Sequence, residues 1–159
     1  DVVAIRYIDW LITVPLLMVE LYIVLLAVTN VSSGVFKRLL GFTTLMLVFG
    51  YLGETQVISS TIGFVGGMLF WGLALKEIWS GEAADANAGS KNAAGQYAYV
   101  NLKNIVTFGW LIYPAGYALG YFGGGVDMDL TNQVYNLADF VNKILPGVIV
   151  WAAAKMDTK

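Results

Sequence analysis

Long apolar stretches constrain this chain more than any other feature of its sequence. A helix needs about 20 mostly apolar residues to cross a bilayer. Five stretches of about that length cover residues 3–29, 36–52, 58–79, 97–122 and 130–155. Only 13% of the residues are charged, whereas about 25% is usual in a soluble domain. We therefore predict an all-α transmembrane protein, with residues 1–159 in a single domain.

The basic residues predict how the chain lies in the membrane. Of the nine Lys and Arg residues, all except Arg6 and Lys143 fall on one side if the five stretches alternate in direction. Because cytoplasmic loops carry an excess of basic residues, we expect the C-terminus in the cytoplasm and Asp1 outside. The longest connection, residues 81–95, is rich in Ala, Gly, Asn and Asp. This composition predicts an irregular and mobile segment.

The composition also excludes several classes of function. The chain has no cysteine and no histidine, so a disulfide framework, a thiolate metal site or a histidine metal site is not expected. A net charge of −2 gives no basic surface for nucleic acid. The chain starts at Asp1, without a methionine, and enters an apolar stretch almost at once. We therefore expect that an N-terminal part precedes it.

Ionisable residues within the first stretch indicate a path for protons or ions, because such groups are costly in a membrane. Arg6, Asp9 and Thr13 are spaced three and four residues apart, and they therefore share one helix face. Glu20 follows Asp9 by eleven residues, which places it on that face about 16 Å further along the axis. Two carboxylates along one stripe suit a proton relay, with Asp9 nearer the outside and Glu20 nearer the cytoplasm.

The last stretch pairs a carboxylate with a lysine. Asp139 and Lys143 are four residues apart, and Tyr135 lies one turn before them, so all three share a face. One interpretation is a buried ion pair that fixes helix packing. The other is a buried amine that forms a Schiff base with an aldehyde. The spacing leaves both interpretations open.

Aromatic residues in the middle of the stretches favour a ligand slot. Trp110, Tyr113, Pro114 and Tyr117 follow helical spacing along one face, and Pro114 should kink its helix. Two further tryptophans, Trp10 and Trp71, lie within other stretches. Such faces suit a long, rigid and apolar chromophore.

Four motifs in the same order resemble those of microbial (type 1) rhodopsins, and most of all the proteorhodopsins of marine bacteria. They are RYIDWLITVPLL at residues 6–17, FGYLGE at 49–54, FGW with YP at 108–114, and YNLADFVNK at 135–143. Members of this family fold as seven helices, so the resemblance implies that this chain supplies the third to the seventh. The family's histidine partner of the acceptor aspartate belongs to the second helix, and this chain contains no histidine. Five helices would leave the slot partly open to lipid, and we expect them to bind retinal poorly by themselves.

The resemblance also implies a role for each matching residue. Lys143 would hold all-trans retinal as a Schiff base, with Asp9 and Asp139 as counter-ions. Asp9 would be the proton acceptor and Glu20 the cytoplasmic donor, with Arg6 on the release side and Thr13 beside the acceptor. The slot would be formed by Trp10, Leu17, Met46, Gly50, Trp71, Trp110, Tyr113, Pro114 and Tyr135.

These roles predict a light-driven outward proton pump rather than an enzyme. Leu17 stands where green-absorbing proteorhodopsins commonly carry leucine, which predicts green absorption. The alternatives are a sensory rhodopsin that signals to a membrane transducer, which often lacks a carboxyl donor at the Glu20 position, and a structural membrane protein with buried ion pairs. The resemblance further implies a bacterial inner membrane and a homo-oligomer, pentameric or hexameric.

Overall fold

The computed structural model describes residues 2–124 and 128–158, and this part of the chain is helical almost throughout. Five of its helical spans are long and apolar enough to cross a membrane. This confirms the prediction of an all-α fold with five spans that are long enough to cross a membrane. In chain order the elements are α1 (Val2–Val28), α2 (Ser33–Glu54), α3 (Ser60–Ser80), α4 (Glu82–Gly89), α5 (Ala93–Asn104), a π-helical segment (Ile105–Gly109), α6 (Ile112–Phe122) and α7 (Met128–Asp157).

Large apolar side chains cover both the inside and the outside of the bundle. A buried core fills the half of the bundle remote from Asp9, and it includes Met18, Leu21, Leu25, Leu39, Ile78, Tyr99 and Leu102. The outer faces of α1 and α7 expose side chains such as Ile8, Ile12, Leu137, Phe140 and Trp151 over more than half of their surface. Helices satisfy their own backbone groups, so an apolar exterior of this kind suits contact with lipid.

The connection between α3 and α5 differs from its prediction. The composition of residues 81–95 predicts an irregular segment, but the eight-residue helix α4 occupies its first half. Arg38 on α2 forms ion pairs with Glu77 at 2.9 Å and with Glu82 at 2.7 Å. A carboxylate oxygen of Glu77 also accepts a hydrogen bond from the backbone N–H of Ala83. These contacts between distant residues fix the start of α4, and sequence composition does not reveal them.

The span formed by α5 and α6 is interrupted before Pro114 rather than at it. Pro114 lies in the first turn of α6, where a proline is tolerated. Since Pro114 has no N–H, the carbonyl of Trp110 instead accepts from the N–H of Tyr113 at 3.2 Å. Upstream, the N–H of Trp110 reaches back five residues to the carbonyl of Ile105 at 3.1 Å. The kink predicted at Pro114 therefore takes the form of a π-helical segment followed by a turn.

Helices α2 and α3 approach each other closely at two glycines. A Cβ atom at position 63 would lie 2.6 Å from the Cα atom of Gly53 and 2.9 Å from the carbonyl oxygen of Phe49. Both would be collisions with backbone atoms of α2, which no side-chain rotation relieves. Small residues commonly permit such approaches between membrane helices. The contact holds α3 in the place from which it contributes to the central cavity.

We expect Gly63→Ala to destabilise the protein by about 1–3 kcal/mol, because the added methyl group forces α2 and α3 apart. Gly72→Ala is the matched control on the same helix, since a Cβ there meets no atom within 4 Å. Unfolding in mixed detergent measures both variants against the natural protein. Equal stability of the two variants would contradict the close contact.

Candidate functional site

A cavity of about 470 Å³ lies between α1, α2, α3, α6 and α7. Its walls are mostly apolar and aromatic. The structure brings together on these walls every residue that the sequence analysis assigned to the retinal slot: Trp10, Leu17, Met46, Gly50, Trp71, Trp110, Tyr113, Pro114, Tyr135 and Lys143. Thr13, Glu20 and Asp139 line the same cavity. The structure shows that these residues share one cavity. Their roles remain predictions.

Lys143 is placed between two carboxylates. Its Nζ atom forms an ion pair with Asp9 on α1 and lies 3.4 Å from an oxygen of Asp139, one turn before it on α7. The Asp9 side chain is 41% exposed and that of Asp139 only 15%, so the two carboxylates differ in environment. Asp9 lies beside the lysine rather than on the wall of the cavity.

Asp139 is held by two hydrogen bonds from aromatic side chains. The indole N–H of Trp10 donates to its carboxylate at 3.1 Å, and the hydroxyl of Tyr113 donates at 2.6 Å. Tyr135 donates its hydroxyl to the backbone carbonyl of Tyr113 at 2.9 Å and thereby supports that ring. Hydrogen bonds to an ionised carboxylate are short and strong. The Asp139 carboxyl group is therefore held in place beside Lys143.

Thr13 and Glu20 continue the α1 face toward the opposite end of the cavity. The Thr13 hydroxyl donates to the backbone carbonyl of Asp9 at 3.0 Å. Its partner is therefore the helix backbone at Asp9 and not the Asp9 carboxylate. Glu20 follows Thr13 by seven residues on α1 and lies on the wall of the same cavity. Both carboxylates are therefore on α1, with Asp9 in contact with Lys143 and Glu20 on the cavity wall.

Arg6 belongs to a second polar cluster, which lies about one helical turn before Asp9 on α1. Its guanidinium donates a hydrogen bond to Asn132, lies 3.5 Å from Glu54, and stacks over the ring of Tyr135 with 4.7 Å to the centroid. The Tyr7 hydroxyl donates to Glu54 at 2.9 Å. A small cavity of about 20 Å³ lies beside Arg6 and Glu54, which is about the space that one water needs.

Glu54 and Asn142 were not among the predicted site residues. Glu54 lies beyond the predicted stretch 36–52, but it ends α2, and its side chain is only 6% exposed. A carboxylate in a connection without basic residues was the signal that could have found it. Asn142, which precedes the lysine, is buried and donates to the backbone carbonyl of Gly109 at 2.9 Å. An amide inside an apolar stretch was the corresponding signal.

Fold and site together define a helical membrane protein built around an apolar ligand cavity with a lysine on its wall. A model of the family described as "Bacteriorhodopsin-like protein" matches residues 1–156. The chain therefore belongs to the bacteriorhodopsin-like family. Rhodopsins of this family bind retinal as their chromophore, in agreement with the resemblance in the four motifs.

Individual relatives agree with this membership. A green-light absorbing proteorhodopsin from Gamma-proteobacterium EBAC31A08 is 48% identical over 155 residues, which cover 96% of this chain and 61% of that protein. The crystal structure of a blue light-absorbing proteorhodopsin from Med12 matches with a TM-score of 0.82 at 42% identity, over 98% of this chain and 68% of that one. Sensory rhodopsin-2 from Haloarcula vallismortis is 32% identical over 96% of this chain and 63% of its own length. The chain thus spans about three-fifths of the green-absorbing relative.

Proposed function

We propose that this chain works in a light-driven outward proton pump, with retinal attached through the Nζ atom of Lys143. The observation that carries this proposal is the position of Lys143, which lies on the wall of an apolar cavity and has its Nζ atom between Asp9 and Asp139. An ion pair that only fixed helix packing would not require a cavity at its nitrogen. The cavity beside Lys143 therefore favours an attachment site for a ligand over an ion pair that only fixes helix packing.

The residues present fit a retinal molecule. A cavity of about 470 Å³ lies within the range of about 300–1,000 Å³ that is usual for small-molecule sites. Among the described residues of its lining, Lys143 alone carries an amine, so a single point of attachment is defined. The rings of Trp10, Trp110 and Tyr113 provide rigid apolar walls. The carboxylates beside Lys143 supply the negative charge that a cationic linkage needs.

The chain's own residues define an outward direction. The bound chromophore supplies a light-dependent change in proton affinity at the lysine nitrogen. Asp9, in contact with that nitrogen, is placed to receive a proton on the outer side. Asp139 keeps its charge in place through Trp10 and Tyr113. Intramembrane carboxylates arranged in this way are typical of proton relays.

In this proposal the proton donor, Glu20, and the release-side residue, Arg6, lie on opposite sides of Lys143. Glu20, on the cavity wall toward the cytoplasmic end, is placed to return a proton to the lysine nitrogen. Arg6, paired with the buried Glu54, lies between Asp9 and the outer end of the bundle and is placed to guide the released proton. Transport in one direction then requires access to alternate between these two sides.

The same proposal assigns each of the five spans to a helix of the family fold. The five spans take the places of the third to seventh helices of the family, with the C-terminus in the cytoplasm because the basic residues collect at that end. A bacterial inner membrane and a pentamer or hexamer remain predictions from the family resemblance.

A sensory rhodopsin is the competing function, since a relative of that name is 32% identical. Two observations favour the pump. The chain retains a carboxylate at Glu20 on the cavity wall, and its identity to a proteorhodopsin is higher, at 48%. A sensor would share the attachment site and differ in transport.

We expect all-trans retinal, added to membranes that contain the protein at its natural length, to produce an absorption band in the green. Leu17 is buried on the cavity wall and is the residue that predicts this colour. Absorption spectroscopy before and after addition measures the band. A maximum well into the blue would contradict the colour, and no visible band at all would contradict the proposed function.

A further inference from the structure

The π-helical segment leaves two backbone carbonyls without their usual partners. In an α-helix the carbonyl of Val106 would accept from the N–H of Trp110, and that of Gly109 from the N–H of Tyr113. Here the N–H of Trp110 bonds to Ile105 and the N–H of Tyr113 bonds to Trp110. The second change follows from Pro114, which cannot donate to Trp110. Buried carbonyls of this kind require other donors.

Side chains from the cavity region supply those donors. The indole N–H of Trp71 on α3 donates to the carbonyl of Val106 at 3.0 Å, and Nδ2 of Asn142 on α7 donates to the carbonyl of Gly109 at 2.9 Å. Asn142 is only 8% exposed. Any Cβ at position 109 would collide with its amide oxygen, so the amide fits closely against the glycine. The π-helical segment is thus held from two sides.

Asn142 also connects this segment to the charges beside Lys143. Its Nδ2 atom lies 3.4 Å from the hydroxyl oxygen of Tyr113, and that hydroxyl donates to Asp139 at 2.6 Å. One phenol oxygen therefore accepts from the amide while it donates to the carboxylate. The result is a continuous series of hydrogen bonds from the Gly109 carbonyl to Asp139.

We propose that Asn142 is a positioning residue that joins the π-helical segment to the Tyr113–Asp139 pair and so sets the geometry of the negative charge beside Lys143. This inference rests on the proposed function, because it assigns Asn142 to the attachment site of that proposal. Asn142 precedes the lysine in the chain but acts through Tyr113 and the Gly109 carbonyl. Loss of the Asn142 amide should therefore alter the surroundings of both the Gly109 carbonyl and Asp139.

The Gly109 end can be tested directly, because Gly109–Trp110 is the single Gly-Trp pair in the sequence. Carbonyl-13C glycine and 15N tryptophan then select one peptide bond for solid-state NMR in membranes. We expect the Gly109 carbonyl resonance to move upfield in Asn142→Leu and in Asn142→Ala, because its hydrogen bond is lost. Asn136→Leu makes the same change at an exposed asparagine of α7 and should leave the resonance in place.

The Asp139 end is tested with the retinal-loaded protein. The visible absorption band is expected to change with pH, and the midpoint of that change should move by about half to one pH unit in Asn142→Leu. A shift of this size is expected when the hydrogen bond from Asn142 to the Tyr113 hydroxyl is lost. In a Tyr113→Phe background the same substitution should leave the midpoint nearly unchanged, because the connecting hydroxyl is gone.

The outcomes separate this inference from the function on which it rests. A moved carbonyl resonance together with a Tyr113-dependent shift of the midpoint supports it. An unmoved resonance overturns it, and so does a resonance that moves while the midpoint stays fixed, because Asn142 would then be structural only. A natural protein without a visible band overturns the proposed function itself, whatever the resonance does. Should Asn142→Leu not fold, Asn142→Ala removes the amide without added bulk and is judged by the same two readouts.

Discussion

Replacing Lys143 by alanine is expected to abolish the visible absorption band that retinal gives with the natural protein. The substitution removes the only amine among the described residues of the cavity lining, so no covalent attachment can form there. The expected loss is complete, because no other lysine in the described part of the chain reaches this cavity. Absorption spectroscopy on retinal-loaded membranes measures it.

Two controls make that experiment specific to the attachment. Lys155→Ala removes a lysine from the same helix, where it lies 5.9 Å from the ring centroid of Trp151 and outside the cavity, and should leave the band unchanged. Lys143→Met keeps most of the side-chain volume and should lose the band as alanine does. This variant separates loss of the amine from loss of packing. A band that persists in Lys143→Ala contradicts the attachment.

Replacing Glu20 by glutamine is the second change with a large expected effect. A positioned general acid commonly contributes about 10²–10⁴-fold to a proton transfer. We therefore expect reprotonation after a light flash to slow by about a hundredfold or more, while the resting band changes little. Flash spectroscopy resolves this step. The expected size rests on the donor role proposed for Glu20, which lies on the cavity wall.

Glu82→Gln is the matched control for the donor. Glu82 is a carboxylate at the same end of the bundle, but it is 43% exposed and paired with Arg38. Its replacement should leave the photocycle rate unchanged. A small weak acid added to the solution should partly restore the rate in Glu20→Gln. A photocycle that is unaltered in Glu20→Gln would remove the donor role and would favour the sensory function.

Local spacing predicted that Asp139 and Lys143 are neighbours on one helix face. Because they are four residues apart, their contact across 3.4 Å follows from the period of the helix. The slot residues came from the family resemblance, and the structure places all of them on one cavity. The five spans also followed from apolar length alone, because a bilayer imposes that length on any helix that crosses it.

Contacts between distant residues were not predictable in the same way. The bond from Tyr7 to Glu54 joins residues on two different helices, and no periodicity in either helix indicates it. Helix α4 was missed because its contacts with Arg38 and Glu77 come from other helices. The π-helical segment was missed because sequence rules place the effect of Pro114 at the proline, whereas the hydrogen-bond shift extends back to Ile105.

Light-induced acidification of an unbuffered cell suspension tests the central claim most directly. Cells that make the natural-length protein and are supplied with retinal should acidify the medium on illumination. An uncoupler that carries protons should abolish the change, and Lys143→Ala cells should show none. If the natural protein forms its visible pigment and illumination leaves the external pH unchanged, or raises it, the chain does not work as an outward proton pump.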